Sequence, residues 1–430
     1  MAYRVLVSVP FSIPHRHLNR FVRLIARERT KTRTLFARLL AILTTIHRSG
    51  WNIEAYQWNA LIDNAGKGLR RARPKDFKTA FDIFIDMVSS KSPGGALSRA
   101  GSCLDEAVTD NPLPDVYTYT TLINHAANAR NQVALAQATS LLTASGIRPN
   151  RITHLVLLKF YSNSTNLDGV RASLARICQQ NQELGIDGVN ACIWAFSRHN
   201  RLDIVLKIYR VLRHNVLPEA GFGPDDIYSA KRALLQENME IKASMFPNAV
   251  TYISIVQASA YHGNLRVALT AFKDMLSSDN VEIGAPMYRD EHGKLKPSPY
   301  SPTLPIFRAI FLGFYRHGVA RALPRNPNPA WASDNSQPWV IESLDHIFDV
   351  FLALPEYIQP SSSTIYWALV AFDKTSSGDR ELLRTAWNRI EDRFGGSWGA
   401  AQHRLLRIRR SLFDESESEF GSRRPRTKPG

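Results

Sequence analysis

The side chains able to do covalent or metal chemistry are scattered through this 430-residue chain. Its three cysteines, Cys103, Cys178 and Cys192, have no CxxC spacing and suggest neither a disulfide framework nor a zinc site. No His has a Glu two places later, the spacing that a zinc-activated water with a glutamate proton carrier requires. Gly66-Lys67-Gly68 lacks the spacing and the following Ser or Thr of a phosphate loop, and Gly221-Phe222-Gly223-Pro224 reads as a turn. The acidic pairs Asp225-Asp226 and Asp290-Glu291 read as solvated loop charges. The expectation is a protein that is not an enzyme and holds no cofactor or metal. Its candidate chemistry is hydrogen bonding by short polar groups, among them Thr120, Asn150 and Asn190.

Those residues belong to a unit that recurs every 35 residues: Val116 to Asn150, Arg151 to Gly185 and Ile186 to Ala220, with a fourth copy, Ala249 to Ile283, after an insertion. Leu122 and Ile123, Leu157 and Leu158, Cys192 and Ile193, and Ile255 and Val256 occupy equivalent places, an inward pair on a first helix. Leu135, Val170, Val205 and Ala268 correspond, as do Leu142, Ile177, Leu212 and Met275 two turns later, which marks one stripe of a second helix. Ser162 to Asn166, His199-Asn200 and Gly263-Asn264 supply tight turns between the two. A single hairpin cannot bury its apolar face, so the period predicts stacked hairpins and an all-α fold, an α-solenoid. Trp58 to Ile62 opens an earlier unit, whose second helix is expected at Ala80 to Met87 after a loop carrying Lys67, Arg70, Arg71, Arg73 and Lys75. Leu304 to Gly318 with Val340 to Leu354, and Ile365 to Phe372 with Leu382 to Ile390, bring the count to about seven units.

The hydrophobic content of 44% suffices for a large core, and apolar runs such as Leu39 to Leu43 stop far short of a membrane span, so no membrane insertion is expected. The net charge is +16, but residues 1–50 hold ten Lys and Arg against one acid and residues 401–430 hold eight against four, leaving only +3 between. Non-specific phosphate attraction is therefore not the main binding term of the repeats unless their charges segregate by face. The Arg-rich, acid-poor start, Arg4 to Arg33, matches a mitochondrial presequence. The second reading is an amphipathic helix from Leu18 to His47 that caps the repeats, with Phe21, Leu24, Ile25, Leu35, Leu39, Leu40 and Leu43 supplying its buried side, and both can hold in turn, presequence first and cap after it.

Pro114-Asp115, Val116-Tyr117-Thr118-Tyr119-Thr120-Thr121-Leu122-Ile123 and the closing Gly146-Ile147-Arg148-Pro149-Asn150 resemble a pentatricopeptide repeat. So do Pro247-Asn248-Ala249-Val250-Thr251-Tyr252 and the following Gly263-Asn264-Leu265, Ala268, Phe272 and Met275. The resemblance covers most of Ile53 to Arg393 and implies a right-handed superhelix of helix-turn-helix hairpins whose first helices line a groove for single-stranded RNA. It implies that the fifth and last residues of a unit select a nucleotide while the second residues of adjacent units sandwich it. Carried over, Thr120 with Asn150 is the pairing associated with adenine and Asn59 with Asp115 the one associated with uracil. Tyr117, Ile152 and Val250 would sandwich bases, Asn190 keeps a polar fifth place, and Arg70, Arg71, Arg73 and Lys159 would contact phosphates.

The pattern also departs from the family. Leu155 and Ile253 stand in the fifth place, Arg308 is charged there, Trp367 could stack without discriminating, and the insertion Val88 to Pro114 separates Asn59 from Asp115 in sequence. The insertions Gly221 to Phe246, Gly284 to Pro302 and Val319 to Pro338 are expected as loops, several of them mobile and rich in Pro, Ser and charge. The organisation expected is a basic segment over 1–52, the repeats over 53–393, and a basic helix with a disordered tail over 394–430. Two functions fit: an RNA-binding protein for organellar, mitochondrial transcripts in processing, stability or translation, or a scaffold binding proteins such as a mitochondrial ribosome or translation-activator component.

Overall fold

A computed structural model describes residues 13–28, 30–66, 74–97, 112–218, 226–280, 284–289, 295–319, 339–395 and 403–413. The described residues are all-α apart from one short hairpin, and they divide into two compact units. Unit 1 comprises 1–191 with 235–240, and unit 2 comprises 192–234 and 241–430. None of the described helices is long and apolar enough to cross a membrane.

Unit 1 opens with α1 (His15–Arg27) and α2 (Arg33–Arg48), then three hairpins: α3 (Ala55–Ala65) with α4 (Pro74–Val88), α5 (Val116–Asn128) with α6 (Gln132–Ala144), and α7 (Arg151–Asn163) with α8 (Leu167–Gln179). The first helices pack side by side, α3 on α5 and α5 on α7. Trp58, Leu61, Ile62, Ile83, Leu122, Ile123 and Ala138 form their shared core, each large side chain stabilising by about 1.5–3 kcal/mol on burial. The N-terminal segment departs from the expected single helix. It breaks at Glu28, and Thr32 starts α2 by accepting the Leu35 N–H, so Leu18, Val22, Leu39, Ile42, Leu43 and Ile46 are buried while Leu24 is exposed. α4 likewise begins at Pro74, earlier than Ala80, because proline suits the first helical position, and Lys75 lies on the helix.

Where two helices of a hairpin meet directly, the joint is the same. Arg130, Thr165, Asn200 and Gly263 adopt positive φ (53°, 53°, 60° and 82°), and the next residue's N–H reaches back five residues. These bonds are Asn131 N to Ala126 O (3.2 Å), Asn166 N to Tyr161 O (3.0 Å), Arg201 N to Phe196 O (2.9 Å) and Asn264 N to Ser259 O (2.8 Å). Asn131, Asn166 and Asn264 then cap the second helix, each side-chain oxygen accepting a backbone N–H three residues on, at 3.1, 2.9 and 3.1 Å. A two-residue joint thus ends one helix and starts its partner.

Unit 2 takes up α9 (Gly185–Arg198), which begins in unit 1, and continues with α10 (Leu202–Val216), α11 (Ile227–Gln236), α12 (Ala249–Tyr261) and α13 (Leu265–Ser277). After a hairpin come α14 (Leu304–His317), α15 (Ile341–Leu352), α16 (Ser362–Thr375), α17 (Arg380–Phe394) and α18 (His403–Phe413). Its core is aromatic: Phe351 lies 5.4 Å from both Phe307 and Phe311 and 5.3 Å from Phe394, ring centre to ring centre. Two insertions expected as loops hold regular structure. Ile227, Ala230 and Leu234 recur at helical spacing and are buried along α11. β1 (Met287–Arg289) pairs antiparallel with β2 (Leu295–Pro297), Tyr288 opposite Lys296, with Pro297 at the strand's end where its missing N–H does no harm. Residues 320–338 and the tail 414–430 lie outside the described residues.

Candidate nucleic-acid interface

The polar residues singled out by the repeat meet at the junctions between consecutive first helices of unit 1. Asp115 caps α5, its Oδ1 accepting the Thr118 N–H at 2.8 Å while Asp115 N–H donates to Thr118 Oγ1 at 3.1 Å. Asn59, one helix back, donates from Nδ2 to that same Asp115 oxygen at 3.1 Å. Thr118 Oγ1 sits 2.6 Å from Asn59 Oδ1 and 2.9 Å from Asp115 Oδ1, sharing its proton between them. The insertion that separates Asn59 from Asp115 in sequence therefore does not separate them in space: their side chains touch.

One unit on, the arrangement repeats. Asn150 caps α7, and its Oδ1 accepts the Thr153 N–H at 2.8 Å and the Thr153 hydroxyl at 2.9 Å. Thr120 on α5 lies 2.6 Å from Thr153 Oγ1. Thr153 gives its proton to Asn150, so Thr120 is the donor to Thr153. Thr120 is only 8% exposed and does not touch Asn150 directly; Thr153 links them. Among the described residues, the capping residue in each junction keeps one polar atom uncommitted, the second carboxylate oxygen of Asp115 and the amide NH2 of Asn150. One is an acceptor, the other a donor.

Thr118 and Thr153, third in their helices, carry both junctions and were not singled out by the sequence reading. Their signal was legible: Asp115-x-x-Thr118, Asn150-x-x-Thr153, Asn248-x-x-Thr251 and Ser361-x-x-Thr364 are one pattern, a cap followed three residues later by a hydroxyl. The adjoining His154 is buried with Nε2 3.1 Å from Gln180 Oε1, and burial pushes its imidazole below the ordinary value, so it stays neutral.

The remaining candidates divide. Tyr117, Ile152 and Val250 are 66%, 46% and 50% exposed at the second place of their helices. Asn190 is buried and engaged, and Lys159 is exposed on α7. Arg70, Arg71 and Arg73 lie outside the described residues. At the junction after α7 the polar link changes kind: the Arg151 guanidinium holds Leu184 O at 3.1 and 3.0 Å and pairs with Asp187. Unit 2 carries Ile253, Arg308 and Tyr366 at the fifth place. The last corrects the expectation of Trp367, because Ser361 caps α16 through Thr364 and so sets the register. Contacts there are aromatic and cationic: Arg316 lies 4.0 Å over Tyr261, Tyr315 and Trp367 are 5.3 Å apart, and Arg404 lies 5.5 Å over Tyr366.

Residues 102–164, which contain the capped α5 and α7 and the junction of Thr120 with Thr153 and Asn150, match the pentatricopeptide repeat domain. This stretch of the chain is thus similar to a pentatricopeptide repeat. Among solved structures, the chain is similar to the pentatricopeptide repeat protein PPR10 from maize, at 14% identity and a TM-score of 0.35, covering 91% of this chain and 49% of that one. It is also similar to PPR10 in complex with an 18-nt psaJ RNA element, at 14% identity and a TM-score of 0.28, covering 95% and 60%. The chain thus spans about half the length of the first of these. No curated protein matches it. In unit 1 the first helix of a hairpin brings its fifth residue to the cap region of the next first helix.

Proposed function

We propose that this pentatricopeptide repeat protein binds single-stranded RNA along the first helices of unit 1, without catalysis, in mitochondrial RNA processing, stability or translation. The observation that carries the reading is the pair of consecutive junctions, each ending in one uncommitted polar atom beside an exposed apolar side chain. Uracil presents an N–H between two carbonyls, which the free carboxylate oxygen of Asp115 can accept. Adenine presents a ring-nitrogen acceptor, which the Asn150 amide can meet. Tyr117 and Ile152 stand out from the same helices, where a base can lie against them. The mitochondrial setting is supported by the Arg-rich, acid-poor stretch Arg4 to Arg33.

Crosslinking and sequencing of bound RNA tests this, with wild type recovering enriched transcripts and the Thr120→Ala/Asn150→Ala double variant losing them. In a binding assay, Asp115→Asn turns the acceptor into a donor and should weaken the preference for uracil at one position about tenfold. Wild type without an enriched transcript, or a double variant with enrichment intact, defeats the groove-reading mechanism. A protein-binding scaffold, of which a mitochondrial ribosome is one setting, is favoured by the hairpin, whose Met287, Tyr288 and Leu295 are exposed. Loss of co-purifying proteins on Met287→Asp/Leu295→Asp with RNA capture unchanged would favour it.

A further inference from the structure

The described end of unit 2 holds a cleft that the repeat positions do not explain. α16, α17 and α18 enclose about 540 Å³, within the range of small-molecule sites. Its floor is apolar, with Leu369, Val370, Ile408 and Leu412. α18 is fixed as a wall, since Leu405 and Leu412 are buried and Arg384 Nε donates to Leu412 O at 2.7 Å. Tyr366 stands at the rim with Arg404 5.5 Å over its ring, and Arg407 joins it from the next turn of α18. Among the described residues neither guanidinium has an acid within ion-pair distance.

We infer that this cleft takes a nucleoside monophosphate unit, its base against the apolar floor and Tyr366 and its phosphate on Arg404 and Arg407. An apolar slot beside an aromatic ring suits a base, and two guanidiniums one turn apart suit a phosphate, whose oxygens accept their forked N–H groups. Two polar groups remain for the base edge. The Ser411 hydroxyl already donates to Ile408 O at 2.8 Å, so it offers an acceptor, and Asp373 offers a carboxyl. Asp373 is exposed as a residue, yet partial burial of its carboxyl raises its proton affinity. With two guanidiniums against one carboxylate the lining favours an anion.

The same chemistry is met by a free nucleotide or by the end of a bound strand, and the second source rests on the RNA reading above. The test is calorimetric titration of the full chain with AMP, UMP, adenosine, inorganic phosphate and a 3′-phosphorylated oligoribonucleotide. A mononucleotide should bind saturably and about tenfold tighter than adenosine or phosphate alone. Arg404→Gln/Arg407→Gln should weaken it at least about tenfold with an unchanged melting curve, and Asp373→Asn, which removes the opposing charge, should tighten it about threefold. The oligonucleotide binding more tightly than AMP assigns the cleft to a strand end; equal affinity assigns it to a free nucleotide. Thr120→Ala/Asn150→Ala should leave AMP binding intact, so failure of the RNA reading is seen separately. No saturable mononucleotide binding, AMP no tighter than phosphate, or a double Arg variant binding as wild type overturns the inference.

Discussion

The two units build on the same hairpin and fill its first-helix face differently. In unit 1 the junctions are made by short hydroxyl, amide and carboxylate groups in fixed hydrogen bonds, Asn59 with Thr118 and Asp115, and Thr120 with Thr153 and Asn150. In unit 2 the corresponding faces carry rings and guanidiniums, Tyr261 under Arg316 and Tyr366 under Arg404. Directional bonds fix which atom faces outward and so can discriminate one base edge from another. Stacked rings offer area without direction, which holds any base. On the RNA-binding reading proposed above, one scaffold would then carry a face that reads and a face that holds.

The comparison breaks most heavily in the aromatic core. Phe351→Ala removes a ring shared by Phe307, Phe311 and Phe394 and should destabilise unit 2 by about 3–5 kcal/mol, measured by native-state hydrogen exchange on the intact chain with unit 1 amides little changed. A response spread evenly over both units would show the aromatic core is not local. Next in size is Asp86, fully buried in unit 1, whose carboxylate accepts the N–H groups of Gly94 (3.0 Å) and Ala96 (2.9 Å). Burial outweighs those bonds and pushes its carboxyl up to about 6 from the ordinary 3.8. The folded state then holds the proton more tightly than the unfolded chain, so its contribution falls as pH rises from about 4 to about 6 and is level above, by about 3 kcal/mol. Asp86→Asn should flatten that slope in pH-dependent denaturant melts; an unchanged slope would place the titration elsewhere.

A smaller effect sharpens the contrast at the junctions. Thr153→Val strands the buried Thr120 hydroxyl and should cost about 1–3 kcal/mol. Thr364→Val in unit 2 loses only its bond to Ser361, so about 0.5–1 kcal/mol is expected from the same exchange measurement. Equal losses would mean that the unit 1 junction carries no more than a helix cap. Smallest is Thr165→Gly at a positive-φ joint: a β-branched residue is strained there, so glycine should stabilise by about 1 kcal/mol, seen as a raised denaturation midpoint.

The hairpins were legible in the sequence because apolar burial recurs with the period: Leu122 and Ile123 or Leu135 and Leu142 must face inward in every copy. Junction chemistry was less so. Asn59 and Asp115 lie 56 residues apart, and only the packing of α3 on α5 brings them together. Thr120 and Asn150 were paired in sequence, yet the atom joining them is on Thr153, which looked like one more polar helix residue. Trp367 was placed at the fifth position because apolar spacing alone counts from the buried pair, whereas the cap at Ser361 sets the true start. α11 and the β1–β2 hairpin were missed because both are too short for a periodicity to accumulate.

The two-residue joint has a consequence for how such a chain changes length. Hairpins closed by Arg130-Asn131, Thr165-Asn166, Asn200-Arg201 and Gly263-Asn264 have only that pair and the one residue before it between their helices. The three that lack it, α3–α4 after Gly66, α14–α15 after Gly318 and α16–α17 after Thr375, carry the segments 67–73, 319–340 and 376–379 there. Every residue of the joint is committed to a bond or a dihedral, so an inserted residue would unseat both helix ends at once. A hairpin sealed in this way behaves as a cassette: it can be duplicated, deleted or exchanged whole, while growth within a hairpin is confined to the three that are not sealed this way.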